Sequence, residues 1–213
     1  MNKVYLSEHA NPILSDYLKS LGCDISYVHS TSHTYDPVSA HPDIYLCRMG
    51  FRKLFYGNPD TLGFDYPKNV IYNAVFMGKY FIHNLESTSK DLLDQAKRME
   101  KVLIDVPQGY TKCNMVVVDD YAAITSDRGI AKALAETDID FLLIEPGHVK
   151  LKNHPHGFLG GASGRVGDEM IFHGDLSAHP DFDKIIDFHK KHNCGVKYFP
   201  EFELEDIGSI IWA

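Results

Sequence analysis

The chain has 213 residues, of which 44% are hydrophobic and 23% are charged, and its formal net charge is −8. This length and composition favour one globular domain and exclude a membrane-spanning protein, because no stretch approaches the roughly 20 apolar residues that cross a bilayer. The acidic balance and the lack of a Lys/Arg run longer than short pairs argue against a nucleic-acid partner.

The first elements have clear signals. Residues 2–7 are predicted to form a strand. A helix is expected to follow as far as Leu21, with Asn11 as its cap and Pro12 at its first position. Residues 23–28 return as a strand, and a loop rich in Ser, Thr, His and Pro covers 29–42. Residues 43–47 read as a compact strand, and 48–68 read as irregular.

The rest of the chain repeats one pattern, which is strand, strand, helix, strand. The pattern predicts one domain, 1–213, that is made of modules. Three modules cover 69–106, 110–145 and 157–199, and a fourth is built jointly from 1–28 and 204–213, with 29–68 outside them. Each module opens with a hairpin, which disfavours a doubly wound parallel sheet. Closure of a ring by both termini would leave few open sheet edges. The fold expected is therefore α/β, a propeller-like ring of modules around a polar channel.

Four segments carry a family resemblance: GYTKCN at 109–114, AITSDRGIAKAL at 123–134, HGFLGGASG at 156–164 and LEDIGSIIWA at 204–213. Together they resemble an uncharacterised bacterial family described as having the guanidino-group-modifying-enzyme, or pentein, fold, over most of residues 40–213. That superfamily includes arginine deiminases, dimethylarginine hydrolases, amidinotransferases and a non-enzymatic ribosome anti-association factor. The resemblance implies a pentein-like β/α propeller and a small polar ligand, such as a guanidino or ureido compound.

The resemblance also implies site residues. In catalytic penteins a cysteine near a glycine-rich strand entry attacks the guanidinium carbon, and an H-x-D motif supplies an acid/base histidine and a carboxylate. Cys113 in GYTKC and His41 and Asp43 in HPD are similar to these motifs. Asp206 is a further candidate, which would either anchor a cationic group or cap the turn before Gly208. Two departures from the family pattern argue against activity. The pentein cysteine usually lies near the C-terminus, whereas Cys113 is in the middle of the chain, and residues 203–209 contain no cysteine.

Each of these residues also has a structural interpretation. Free cysteine is among the most buried residue types, so Cys113 also fits a buried structural thiol. On a strand, Lys112 would point away from Cys113, whereas His41 and Asp43 would share a face. The HPD motif also fits a proline loop, and the similar His179-Pro180-Asp181 looks like an ordinary helix entry.

Three polar residues fall at matching places in the modules to within one position: Asn73, Asn114 and Ser163. They are predicted either to line the channel and bind a small polar ligand or to bond the backbone at strand ends. The glycines of 157–164 lack a P-loop or GxGxxG spacing, so they indicate close backbone approach rather than nucleotide binding.

The twelve histidines match no spaced zinc signature, so we expect surface histidines, no metal and no cofactor. The four cysteines form no CxxC, and the N-terminus has no apolar signal region, which favours a reduced, cytoplasmic protein. The oligomeric state is open. The leading hypothesis is a cysteine-dependent hydrolase or amidinotransferase of guanidino type. The alternative is a non-catalytic pentein-fold protein that binds a small ligand or a macromolecular partner.

Overall fold

A computed structural model describes residues 2–50 and 53–213 and has mixed α/β architecture. Four helices have seven residues or more: α1 (Pro12–Ser20), α3 (Lys90–Arg98), α5 (Arg128–Leu134) and α6 (Phe182–Lys191). Two four-residue helical turns, α2 (Pro42–Tyr45) and α4 (Thr111–Asn114), each lead directly into a strand. Within the described ranges, no helix combines the length and the apolar character that a membrane crossing needs.

Four three-stranded sheets share one topology, in which a first strand pairs antiparallel with a second, and the second pairs parallel with a third after a helix. Three of them are continuous in sequence: β5 (Val75–Met77), β6 (Tyr80–His83) and β7 (Val102–Asp105); β8 (Met115–Val117), β9 (Ala122–Thr125) and β10 (Asp140–Leu143); β11 (Ser163–Val166), β12 (Glu169–Phe172) and β13 (Gly195–Lys197). The predicted strand-strand-helix-strand units are therefore confirmed.

The fourth such sheet joins the two ends of the chain, as the repeat pattern predicted. Its strands are β14 (Ile211–Trp212), β1 (Asn2–Ser7) and β2 (Cys23–Val28), with Val4 opposite Trp212 and Tyr5 opposite Ile211. The prediction for α1 is confirmed, since the Asn11 side chain accepts a hydrogen bond from the Ile13 amide.

Residues 43–56 differ from the prediction. The segment 43–47 is not one strand, because Pro42 starts the helical turn α2, and the strand β3 (Leu46–Gly50) begins only after it. The segment 48–68 is not wholly irregular, because β4 (Lys53–Tyr56) pairs antiparallel with β3 in a fifth, two-stranded sheet. A proline at the first position of a helix favours that turn, and it outweighs the apolar run Ile44 to Cys47.

Smaller differences occur where apolar runs begin or end. The first strands of the modules are shorter than predicted, since 69–74, 111–114 and 158–162 are turns or helical turns before β5, β8 and β11. The strand β7 is only partly buried, and Val102 is 49% exposed. Its neighbour on one side is β6, and no other described strand pairs with its second edge.

The hydrophobic core consists of five clusters, and each contains residues from two neighbouring sheets. For example, Met115 of β8 packs with Val75 of β5, and Ile171 of β12 packs with Val4 of β1. In chain order the clusters join the β3 sheet to the β5 sheet, then to the β8 sheet, the β11 sheet and the β14 sheet, and the last returns to the β3 sheet. None of these sheets closes on itself within the described chain. Their packing brings the beginnings of β3, β5, β8, β11 and β14 together.

Candidate functional site

The residues immediately before β3, β5, β8, β11 and β14 form five strand entries, which are 41–45, 72–74, 111–114, 160–162 and 206–210. Polar side chains from four of these entries meet in the protein interior. We call this group the polar cluster; its members are His41, Asp43, Asn73, Lys112, Cys113, Asp206 and Ser209. All except the half-buried Lys112 are buried. The fifth entry contributes backbone, through the carbonyl of Gly160.

Cys113 is positioned by the helical turn α4. This turn has no cap from its own N-cap residue, Tyr110. Asn73 from another strand entry takes that role, because its Oδ1 accepts from the amides of Lys112 at 2.8 Å and Cys113 at 3.2 Å. The Asn73 Nδ2 donates to Cys113 Sγ at 3.3 Å and to the Asp43 carbonyl at 3.3 Å. One amide side chain therefore fixes Cys113 against Asp43.

The Cys113 thiol donates a hydrogen bond to Asp43 Oδ2 at 3.1 Å. The same carboxylate oxygen accepts from Ser209 Oγ at 2.6 Å. Burial raises the pKa of Asp43, although His41 and Lys112 oppose that change. Burial, followed by the negative charges of Asp43 and Asp206, raises the pKa of the Cys113 thiol well above its ordinary value. The resting arrangement is therefore a thiol beside a carboxylate with a raised proton affinity.

His41 and Asp206 lie next to this pair. Burial lowers the pKa of His41 to about 4, which makes the imidazole neutral at physiological pH. Its Nδ1 is 3.8 Å from Asp206 Oδ1, which is an ion-pair distance but too long for a hydrogen bond. The Asp206 carboxylate accepts from the amides of Phe158 and Gly208, each at 3.0 Å. Burial nevertheless raises the pKa of Asp206 to about 6.

Lys112 belongs to the polar cluster, contrary to the prediction that it points away from Cys113. That prediction assumed a strand, whereas 111–114 is a helical turn, in which successive side chains do not alternate between two faces. The Lys112 ammonium donates to Ser209 Oγ at 3.0 Å and to the Gly160 carbonyl at 3.2 Å. Burial lowers the pKa of Lys112, and the neighbouring Asp43 charge opposes that change.

Of the predicted site residues, His41, Asp43, Asn73, Cys113 and Asp206 come together, and Asn114 and Ser163 do not join them. The Asn114 side chain donates to the Tyr110 carbonyl, and Ser163 Oγ donates to Gly160, so both bond the backbone of their own turns. The cause is register. The strand β8 begins 40 positions after β5, so the structural equivalent of Asn73 is Cys113 and not Asn114.

Sequence reasoning also missed Ser209. The strand β14 covers only Ile211–Trp212, so Ser209 lies in the strand entry before it. Ser209 has φ +72°, a left-handed conformation that is uncommon for a residue with a side chain. Only its hydroxyl between Lys112 and Asp43 gives this conformation a reason, and no sequence pattern reveals that contact.

Two glycines allow the strand entries to approach each other this closely. A Cβ on Gly161 would lie 2.0 Å from Asp206 Oδ1, and a Cβ on Gly208, which has φ +74°, would lie 2.1 Å from the Cβ of His41. The interpretation of the 157–164 glycines as points of close backbone approach is thus confirmed.

The polar cluster borders two cavities of different size. A cleft of about 720 Å³ lies between the five sheets and is lined by Lys112 and Ser163, and by charged residues of both signs, including Arg48, Arg165 and Asp119. A small pocket of about 50 Å³ is lined by His41 and Asp206. Neither lining includes Cys113.

One metal-binding geometry exists among the described residues. One ligand atom each from His41, Asp43 and Cys113 lies within 4.8 Å of the other two.

The histidines at the end of α6 are not simply on the surface as predicted. His189 is fully buried, with Nδ1 against the Ile185 carbonyl, and His192 pairs with Asp119 and Asp140.

Residues 56–211 match the model of a protein family described as a family of unknown function, DUF6873. The chain belongs to the DUF6873 family. The matched region contains Asn73, Cys113 and Asp206, whereas His41 and Asp43 lie before it. Comparisons with curated proteins and with solved structures gave no match.

Proposed function

We propose that this DUF6873 protein is a cysteine-dependent enzyme that acts on a C–N bond of a small guanidino or ureido compound. Cys113 is the nucleophile, Asp43 accepts its proton, and His41 and Asp206 handle protons and cationic groups beside it. The observation that carries this proposal is the 3.1 Å hydrogen bond from the Cys113 thiol to the Asp43 carboxylate, with the His41 imidazole within 4.8 Å of both.

We further propose that the five small sheets are the blades of a pentein-like propeller with the polar cluster on its axis. Two features support this arrangement. Four sheets repeat one topology, one of them with strands from both ends of the chain. The hydrophobic clusters also link the five sheets in a cycle. A ring of this kind brings polar side chains from distant parts of the chain to one point.

The charges of the polar cluster favour a cationic substrate. With both carboxylates ionised, Asp43 and Asp206 carry two negative charges, and Lys112 supplies one positive charge. A guanidinium group placed between the carboxylates would offset the remaining negative charge and, as a nearby cation, would lower the pKa of the Cys113 thiol. Substrate binding therefore creates the thiolate that the reaction needs.

The chemical steps follow from these groups. Asp43 takes the proton of Cys113, and the thiolate forms a C–S bond with the guanidinium carbon. The C–N bond then breaks, and the leaving amine takes the proton back from Asp43. In hydrolysis, water attacks the resulting thiouronium carbon and gives a proton to His41. As the C–S bond breaks, the new hydroxyl on the carbon gives its proton to the leaving thiolate, which restores the thiol and forms a urea. His41 then passes its proton to the amine, so the products are a urea and an ammonium ion. An acceptor amine in place of water gives amidino transfer.

Access to Cys113 requires movement of a side chain. Lys112 lines the large cleft and lies next to Cys113 in sequence. We propose that the substrate enters from this cleft and that the Lys112 side chain breaks its hydrogen bonds to Gly160 and Ser209 when the substrate enters. The mixed charges of the cleft suit a zwitterionic compound, such as a guanidino or ureido acid. Chemistry of this kind also needs a reduced thiol, in keeping with the cytoplasmic location that the cysteine pattern favours.

The test is a screen of guanidino and ureido compounds by thermal shift, followed by an assay for released amine or ammonia. A ligand that binds only the native state raises its melting temperature. Turnover is expected with the wild type and with Cys47→Ala, and Cys113→Ala should lose turnover while keeping its melting temperature within a few degrees. Cys47 is the matched control because it is also buried and donates to the Ala74 carbonyl outside the polar cluster. Equal turnover by Cys113→Ala and the wild type would refute the proposal.

A non-catalytic binding protein is the second candidate, and one observation favours it. The Cys113 thiol is 2% exposed and is held in its protonated form by a carboxylate. In that case a cationic compound would bind the wild type and Cys113→Ala with equal affinity and would dissociate without chemical change. Slow alkylation of Cys113 by iodoacetamide, even with the compound bound, would favour this candidate over the enzyme.

A further inference from the structure

Two buried polar atoms in the polar cluster lack hydrogen-bond partners. Among the residues that the structure describes, neither His41 Nδ1 nor Asp43 Oδ1 has one. His41 is 3% exposed and Asp43 is fully buried. An unpaired buried acceptor carries a desolvation cost of about 1 to 3 kcal/mol, so a partner that satisfies both atoms would be stabilising. The same two side chains lie beside the Cys113 sulfur, since one ligand atom from each of the three residues is within 4.8 Å of the other two.

The three groups provide nitrogen, oxygen and sulfur, which are the ligand atoms that zinc takes from proteins. Ligand atoms of a tetrahedral zinc site are about 3.3 to 3.8 Å apart, given metal–ligand distances of about 2.0 to 2.3 Å. The three atoms here lie within 4.8 Å of one another. Closure around an ion therefore needs shifts of about 1 Å in the ligand atoms. Each ligand stands at the start of a short helical turn or within it.

The charge balance also fits a divalent cation. With its carboxylates ionised, the polar cluster carries one net negative charge from Asp43, Asp206 and Lys112. A divalent ion that displaces the thiol proton of Cys113 adds one net positive charge, because ligation needs the thiolate. The loaded site is then neutral, which favours its burial.

We propose that His41, Asp43 and Cys113 form a binding site for a divalent transition metal, with zinc as the best match. The metal bonds to His41 Nδ1, an Asp43 carboxylate oxygen and Cys113 Sγ, and its fourth position stays open to water or another small ligand. Binding releases the Cys113 proton to solvent. The metal would occupy the same three groups that the proposed function assigns to the substrate and its protons, so a metal ion and a guanidino substrate compete for this site. The metal site itself rests on geometry and stands whether or not the chain turns over a guanidino compound.

The experiment is a titration of metal-free, reduced protein with Co²⁺, which reports its ligands by colour. A thiolate ligand gives a near-ultraviolet charge-transfer band, and tetrahedral Co²⁺ gives strong visible bands. We expect both to saturate at one ion per chain, and Zn²⁺ to displace the Co²⁺ and remove them. Cys47→Ala is the matched control and keeps the charge-transfer band.

Cys113→Ala should lose the charge-transfer band, and His41→Gln and Asp43→Asn should weaken Co²⁺ binding by more than about 100-fold, since loss of a second-shell partner alone costs about 10- to 100-fold. Circular dichroism checks that each variant is folded, and Cys113→Ser replaces Cys113→Ala if that variant unfolds. No spectral change with folded wild type, or a charge-transfer band that survives in Cys113→Ala, overturns the proposal.

Activity separates this proposal from the proposed function. Turnover that Zn²⁺ suppresses and a chelator restores supports both. Turnover that needs Zn²⁺ supports the metal site and refutes the metal-free mechanism of the proposed function. A Cys113-dependent turnover without any Co²⁺ spectrum refutes the metal site and leaves the enzyme intact.

Discussion

Replacement of His83 by glutamine is expected to remove one of the contributions that make the fold sensitive to acid. His83 ends β6 and is fully buried. Its Nε2 lies 3.0 Å from the Gly109 carbonyl, which is only an acceptor, so Nε2 carries the proton. Nδ1 lies 2.7 Å from Thr88 Oγ1. His83 thereby supports the backbone just before α4, the helical turn that holds Cys113.

The magnitude follows from the pKa of His83. Burial lowers this pKa from 6.5 to about 4, although the Gly109 and Val70 backbone contacts oppose that change. Below pH 6.5 His83 is protonated in the unfolded chain, whereas in the folded protein it stays neutral down to about pH 4. Stability is therefore lost as the pH falls through this window, by about 3.4 kcal/mol in all at about 1.36 kcal/mol per pH unit. About 2 kcal/mol of this loss falls between roughly pH 7.5 and pH 5.

The assay is urea denaturation of the wild type and His83→Gln near pH 7.5 and near pH 5. Glutamine keeps an N–H donor for Gly109 and does not titrate. The difference in unfolding free energy between the two proteins should move by about 2 kcal/mol in favour of the variant at the lower pH. Ile82→Val, on the same strand, is the control and should cost about 1 kcal/mol at both pH values. An equal difference for His83→Gln at both pH values would refute the reasoning.

Three further substitutions test the fold and the site. Gly167→Ala is expected to lower the free energy of unfolding by about 1 to 2 kcal/mol, because Gly167 has a positive φ. Gly208→Ala should lower it by more, because the new Cβ would also meet His41. Chemical denaturation of both variants measures the difference. Asp127→Ala should cost about 1 kcal/mol in the same measurement, because the Asp127 side chain caps α5 through the Ile130 amide. Phe172→Ala should cost about 3 to 5 kcal/mol, since its ring is fully buried, and a loss below 1 kcal/mol would contradict that core assignment.

The repeat was the most predictable part of the fold, because hairpins and capped helices depend on local signals. Asn11-Pro12, the Gly78-Lys79 turn and the Asp127 cap each act within a few residues, and the Asn11 cap was identified from the sequence. The pairing of the two termini was also predictable, since the last strand had no helix after it and the first module had no opening strand.

The strand entries were less predictable, because contacts between distant residues determine them. A sequence window sees an apolar run from Met115 onward and extends the strand back over Cys113. In the fold, Asn73 caps the amides of 112–113, and this contact turns the segment into a helix. The one-residue error that put Asn114 in the site, and the omission of Lys112, both follow from that missing contact.

The composition of the polar cluster argues against a purely structural role. Burial of ionisable groups costs free energy that apolar residues of similar size would not, and such groups mark functional sites more often than well-packed cores. The protein keeps a thiol, an imidazole and two carboxylates in its interior, with His41 Nδ1 and Asp43 Oδ1 unpaired among the described residues. It also places glycines at 161 and 208, where a larger residue would separate Asp206 from the 160–162 entry or displace His41. A cation, either organic or metallic, would satisfy both carboxylates and the unpaired atoms at once, and both proposals for this site follow from that requirement.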